Sequence, residues 1–289
     1  MKREGAYASF SFRITVMYTY QINLAGITVT CDFRFSGTIE YFRDYSASKA
    51  AETAPVAVLP QRDWDEMAKQ GIAFNAYSEY SVFTNCCSDV LLPFDRVILH
   101  AVALRWQDKA YLICANSGVG KSTQAKTLQA LRPGEFGIIC GDRPVLEFCH
   151  SESVLDVSQK PPKTPQSGFR GGEPAKPEVE SVRIHPSPWN GKENWRGAEA
   201  APLAGIILLE RGEENKLSAI TEQEAILPLY THFIHTAWAP ETIRSVAALE
   251  TRLLRAVPLW KLVTHEVPGS TMLLLDAIFS DPQKAGNIQ

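Results

Sequence analysis

The stretch from Tyr111 to Thr123, Tyr-Leu-Ile-Cys-Ala-Asn-Ser-Gly-Val-Gly-Lys-Ser-Thr, constrains the chain more than any other. Its apolar run Tyr111 to Ala115 reads as a buried strand, and Gln124 to Leu131 continues it as a helix. Between them lie two glycines followed by Lys121-Ser122. Strand, glycine-bearing loop, Lys-Ser and helix in that order form a P-loop arrangement. Small residues let successive backbone N–H groups curl around an anion, and the helix start adds unpaired N–H groups and the positive end of its dipole. In such a loop Asn116, Ser117, Gly118, Val119, Gly120, Lys121, Ser122 and Thr123 bind phosphates. Lys121 reaches the β- and γ-phosphates, and Ser122 places its hydroxyl on Mg2+. The glycine form of the motif is broken only at its first position, which is Ala115. The bland alternative is an ordinary strand–turn–helix corner.

The setting of this loop is unusual. Val97 to Trp106 reads as one strand, Gln107-Asp108 as a tight turn and Lys109 to Ala115 as the returning strand. The loop therefore hangs from the second arm of a hairpin, not from a parallel βαβ crossover. His100 lies on the neighbouring arm, level with the loop's approach; a lone strand histidine is more often a satisfied core residue than a functional one. A further strand, from Gly137, ends at Asp142, where a carboxylate can serve as the second Mg2+ contact. The competing role is a turn Asp before Pro144.

Around this centre the chain has 289 residues and a net charge of −3, enough for a large domain with a smaller companion. The charge points to neither nucleic acid nor membrane, and no apolar run reaches spanning length. The start, Met1-Lys2-Arg3-Glu4, leads into no signal-peptide core, so a cytoplasmic protein is expected. The cysteines 31, 86, 87, 114, 140 and 149 lack C-x-x-C spacing and read as reduced, apolar residues. The adjacent pair Cys86-Cys87 carries only a faint redox hypothesis.

From Phe10 to Leu24 the even residues are apolar; after Ala25-Gly26 the odd ones are, to Phe35. That is a hairpin with one buried face, the mark of a small N-terminal β-rich domain over 1–93. Pro55 to Leu59 reads as a short strand. The apolar stripe Tyr77, Tyr80, Phe83, Cys87, Val90 reads as a helix ended by Pro93. In the second domain, 94–289, the stretch 158–180 is rich in Pro, Gly and charge and reads as a flexible hairpin tip between Val145–Phe148 and Ser181–Ile184. Pro186 to Trp195 is a loop carrying two tryptophans, Lys192 and Glu193, either a binding loop or one packed on the core. Leu203 to Glu210 reads as a central strand and Thr221 to about His235 as a helix opened by a capping box. A helix from Pro240 to about Arg255, a strand Leu259 to Val263 and a helix Ser270 to Ser280 complete the chain.

From about Phe94 onward, some two thirds of its length, the chain resembles the HPr serine kinase/phosphorylase group of the PEP-carboxykinase-like P-loop fold. It is similar to the HPr-kinase-like proteins of bacterial peptide-tailoring gene sets. The residues that carry the resemblance are His100 in Leu-His-Ala-Val, the P-loop, Gly141-Asp142-Arg143-Pro144, Pro188 to Trp195, and Leu209-Glu210-Arg211. It implies an α/β fold with a mixed sheet, ATP and Mg2+ as cofactors, and transfer of a γ-phosphoryl group to a serine-type hydroxyl of a peptide, protein or small molecule. On that basis Lys121 and the loop amides hold phosphates, Ser122 and Asp142 hold Mg2+, and His100 lies near the phosphates. One departure stands out: the group has two adjacent aspartates at the strand end, and the first position here is Gly141. Asp142 or Glu193 then carries any base role, and Lys192 is offered as a cation for the transferred group. The alternative is a nucleotide-binding module without transfer. PEP-carboxykinase-type chemistry would need further metal ligands and anion-binding arginines, which are not placed for it. The implied partners are a nucleotide and an unidentified hydroxyl acceptor, with room for a homo-oligomer.

Overall fold

The computed structural model describes residues 17–149, 181–197, 199–236 and 238–279. The first half of the N-terminal alternation, Phe10 to Val16, and the 158–180 insert lie outside the described residues. The chain forms two compact units, Met1–Cys87 and Ser88–Gln289.

In the first unit β1 (Tyr18–Leu24) and β2 (Ile27–Phe33) form an antiparallel hairpin closed by the pair Leu24↔Ile27. The alternation places Ile22, Leu24, Val29, Cys31 and Phe33 on the buried face. Helix α1 (Ile39–Phe42) follows, then β3 (Val56–Val58), which pairs with β2 in parallel. Helix α2 (Gln61–Lys69) and all but the last four residues of α3 (Ala76–Leu91) complete the series. Neither α1 nor α2 was expected from the sequence: α2 buries only Trp64 and Met67, too few residues to mark a stripe. The carboxylate of Glu79, fully buried, accepts from the N–H groups of Arg34 and Phe35 and from the Thr38 hydroxyl, tying the end of β2 to the α3 segment.

The second unit is built on a large mixed sheet. Its strands are β4 (Arg96–Leu99), β5 (Ala101–Trp106), β6 (Lys109–Cys114), β7 (Phe136–Cys140), β8 (Val145–Cys149), β9 (Ser181–His185) and β10 (Ala201–Arg211). Later in the chain come β11 (Lys216–Ala219), β12 (Phe233–Ile234) and β13 (Leu259–Thr264). The helices are α4 (Lys121–Leu131), α5 (Glu222–Tyr230), α6 (Pro240–Ala256) and α7 (Val267–Ala277). Strand β10 runs parallel to both β6 and β13, while β5 pairs antiparallel with β6 and β7. Strands β8 and β9 pair antiparallel, Val145↔His185 to Cys149↔Ser181.

Both faces of this sheet are covered, as the near-continuous apolar strands require. Leu112, Cys114, Ile206 and Leu208 face one core with Leu229 of α5 and Val246, Leu249 and Leu253 of α6. Tyr111, Ile113, Ile207 and Leu209 face the other with Ala125 and Leu128 of α4 and Leu274 and Leu275 of α7. Burying one such leucine contributes about 2 kcal/mol.

Two expectations are corrected. The strand expected over Val97 to Trp106 is two strands with different neighbours, broken at His100. The N–H of His100 donates to the carbonyl of His232 at 2.7 Å, while Leu99 and Ala101 donate to Pro144 and Asp142 at 3.1 and 2.8 Å. The helix expected to run to His235 stops at Tyr230, because Phe233 and Ile234 are drawn into β12 against Leu99 and Ile98 of β4. Its start is as expected: Thr221 and Glu224 form both halves of a capping box. All six cysteines are free thiols, and every one but Cys149 is buried, the Cys86-Cys87 pair included. Among the described residues no helix is long and apolar enough to cross a membrane.

Candidate active site

The pairing Ala101↔Cys114 between β5 and β6, with Leu208↔Cys114 between β10 and β6, aligns three chain segments at one end of the sheet. From that end the loop after β6 turns into α4. Gly118 and Gly120 have φ of +80° and +127°, values at which a side chain is strained, so glycine is needed at both. The first helical hydrogen bond runs from the Gln124 N–H to the Gly120 carbonyl at 2.9 Å. The N–H groups of the first helical turn, at Lys121, Ser122 and Thr123, therefore have no helical acceptor, and the first turn carries no acidic side chain. Asn116, Ser117 and Gly118 are exposed along the loop, with Val119 and Gly120 half-buried.

Lys121 is 8% exposed, unusual for a lysine. Its ammonium donates to the Ala115 carbonyl at 2.7 Å and stands 3.1 Å from Nε2 of His100. Burial holds the Lys121 amine below its ordinary pKa, partly offset by the negative charge of Asp142. The same Nε2 of His100 lies 3.3 Å from Oδ1 of Asp142, and Arg143 Nε lies 3.3 Å from Oδ2. Burial pushes the Asp142 carboxyl up. The hydrogen bond from His100 and the charges of Arg143, His100 and Lys121 outweigh it and leave the carboxyl below the usual range. A single nitrogen faces both a cation and an anion: His100 Nε2 can accept from Lys121 or donate to Asp142, one at a time.

The loop after β9 is stitched to the end of β7. The Gly141 N–H donates to the Trp195 carbonyl at 3.0 Å and the Arg143 N–H to the Trp189 carbonyl at 3.0 Å. The Trp195 N–H donates to the Asn190 carbonyl at 3.2 Å, and Cys140 and Arg196 form an isolated bridge. Gly191, at φ +77°, lets the chain turn tightly against Asp142. A Cβ at Gly141 would stand 2.4 Å from the Asn190 carbonyl oxygen and 3.0 Å from the Trp195 Cβ. Position 141 therefore has no room for a side chain. Trp189 is 2% exposed and belongs to the packing. The loop delivers Glu193 to α4: its carboxylate is 3.2 Å from Lys126 Nζ. The Lys126 ammonium lies 5.5 Å from the Trp195 ring centroid. Lys192, the adjacent residue, is exposed to solvent.

His100 and Asp142 thus gather at Lys121 at the start of α4, while Glu193 meets α4 at Lys126 and Lys192 is exposed. Three contributors were given no site role from the sequence. Arg143 and Arg211 stood only within motifs that carry the resemblance; Arg143 Nε lies beside Asp142. Arg211, at the end of β10, donates to the Gly118 carbonyl at 3.4 Å. His232 packs its ring on that of His100, centroids 6.1 Å apart, with nothing local to announce it. Burial pushes the His232 imidazole down to about 4, with His100 and Lys121 adding to the effect, so it is neutral near pH 7. Among the described residues no group of three or more His, Cys, Asp or Glu side chains is placed to hold a metal ion.

No protein-family model matches the chain, and neither does any curated protein. Among solved structures it matches the Hpr(Ser) kinase/phosphatase from Coxiella burnetii at 10% identity, over 65% of this chain and 92% of that one, with a TM-score of 0.33. That match is a structural resemblance and nothing more.

Proposed function

We propose that the second unit binds a nucleoside triphosphate, ATP, at the loop 115–120 and transfers its γ-phosphoryl group to a hydroxyl of a peptide, protein or small molecule. The observation that carries this reading is the convergence on Lys121. A nearly buried ammonium lies beside two glycines with positive φ, at the start of a helix whose first N–H groups are unpaired. Such a corner offers several donors and one cation to a chain of phosphates. Oxygen donors suit Mg2+, and Ser122 with Asp142 or Glu193 supplies them. When bound, Mg2+ neutralises charge on the phosphate oxygens. Lys121 orients the β/γ end, and Asp142, with His100 beside it, is the group placed to take the proton of the acceptor hydroxyl.

A second reading, a nucleotide-binding module without transfer, is favoured by Gly141, where packing of Asn190 excludes a second strand-end carboxylate. ATP consumption with and without candidate peptide, protein and small-molecule acceptors separates the two. Acceptor-dependent ADP formation supports transfer. Nucleotide binding with no ADP formed over the whole acceptor set supports the second reading.

A further inference from the structure

The imidazole of His232 makes no hydrogen bond among the described residues, although the residue is only 6% exposed. Its position is fixed by the backbone. The His232 N–H donates to the Leu229 carbonyl at the end of α5 at 2.9 Å, and the His232 carbonyl accepts from the His100 N–H at 2.7 Å. Phe233, the next residue, is paired with Leu99 of β4. The ring is therefore held against that of His100, inclined at 67° with centroids 6.1 Å apart. Nε2 of His100 is in turn 3.1 Å from the Lys121 ammonium. A buried polar ring without a partner is costly, and it calls for a partner from outside the protein.

The surroundings decide the sign of that partner. Burial, then the charges of His100 and Lys121, hold the His232 imidazole in its neutral form. Asp142, the carboxylate on the His100 side, is taken up by His100 and Arg143. Of the other titratable groups around the end of α5 and β12, Asp89 is bonded to Thr236, His235 packs on Tyr230, and Glu250 acts on Tyr230. A metal cation beside His232 would be repelled by Lys121, whereas an anion is attracted.

We infer that His232 is a phosphate ligand of the site: when a triphosphate settles beside Lys121, the His232 imidazole takes a proton from solvent and donates a hydrogen bond to the phosphate chain. This rests on the nucleotide reading above. The negative charge of the phosphates offsets that of Lys121 and His100, so the charged imidazole, disfavoured without nucleotide, becomes the favoured form. Binding and protonation then strengthen each other reciprocally. A ring that only buttresses His100 has no such coupling.

The test is NMR of the full chain with labelled histidine, its six imidazoles followed between about pH 5 and 8 with and without saturating Mg·ATP. The His232 signal is the one missing from His232→Gln, or from His232→Asn should the Gln chain not fold. Without nucleotide this imidazole is expected to stay neutral over the whole range, and with Mg·ATP to titrate at about pH 6 or above. The Kd for Mg·ATP, read by calorimetry, should accordingly rise about tenfold more in the wild type than in the variant between about pH 5 and 8. Six imidazoles that titrate alike with and without Mg·ATP overturn the assignment whatever the variants do, and leave the nucleotide site standing. The same pH dependence of Kd in wild type and variant also overturns it. A wild-type chain that binds Mg·ATP at no pH overturns the nucleotide reading, and this inference with it.

Discussion

Lys121 and His100, on different segments, meet with Nζ and Nε2 3.1 Å apart, and Asp142 completes the contact 3.3 Å from the same imidazole nitrogen. A buried lysine costs free energy unless its donors are used, and here the Ala115 carbonyl and the imidazole use them. An incoming anion must replace these partners. When Lys121 turns to it, His100 is left to Asp142 alone.

Removing the charge of Asp142 should therefore slow the chemical step. Asp142→Asn is expected to lower single-turnover phosphoryl transfer by about 100-fold. Turnover within about threefold of wild type would contradict the role. Stability carries a second signature. The folded carboxyl lies below its ordinary value of 3.8, so its ionised form stabilises the fold above that value and the contribution is lost as pH falls through the lower folded value. The Asn variant should show a flatter loss of stability in acid, read by thermal unfolding between pH 2 and 5, with pH 5 just above the ordinary carboxylate range.

Gly141 has no space for even a methyl group. Gly141→Ala is expected to destabilise the second unit by about 2 kcal/mol, because the Asn190 carbonyl or the strand end must shift. Gly137→Ala is the control, since its Cβ would meet Arg105 at an ordinary 3.5 Å. Equal melting temperatures for the two variants would mean the loop yields at no cost.

Glu250 of α6 is 4% exposed, and one of its carboxylate oxygens has no hydrogen-bond partner. Burial pushes its carboxyl up to about 7. The folded value lies above the unfolded one, so the fold favours the protonated acid: its contribution is complete below about pH 4 and is lost as pH rises through about 7. Glu250→Gln should match the wild type near pH 4 and exceed it by about 2 kcal/mol near pH 8. Identical urea midpoints at pH 8 would contradict the burial of an ionisable carboxyl.

How much of this was legible in the sequence follows from which forces are local. The loop after β6 was readable because its requirements are local: two glycines for two positive φ values, then Lys-Ser at a helix start. The hairpin β5–β6 was readable from its turn. The break at His100 was not, because Val97 to Trp106 has no turn residue and what interrupts it is the carbonyl of His232, far along the chain. Strand β11 escaped notice because Lys216–Ala219 is short and has no fully buried residue. Glu193 was noticed as a charged residue in a tryptophan loop. Its approach to Lys126 of α4 depends on Gly191 turning against Gly141 and Asp142, a contact between segments that no spacing encodes.

The loop 115–120 is proposed as a triphosphate site with Lys121 as its cation. Calorimetry of Mg·ATP with the wild-type chain and with Lys121→Ala tests this most directly. Saturable binding by the wild type is predicted, weakened by about tenfold or more in the variant, as expected for loss of one charge-assisted contact. No binding by the wild type, or unchanged affinity in a folded Lys121→Ala chain, would contradict it.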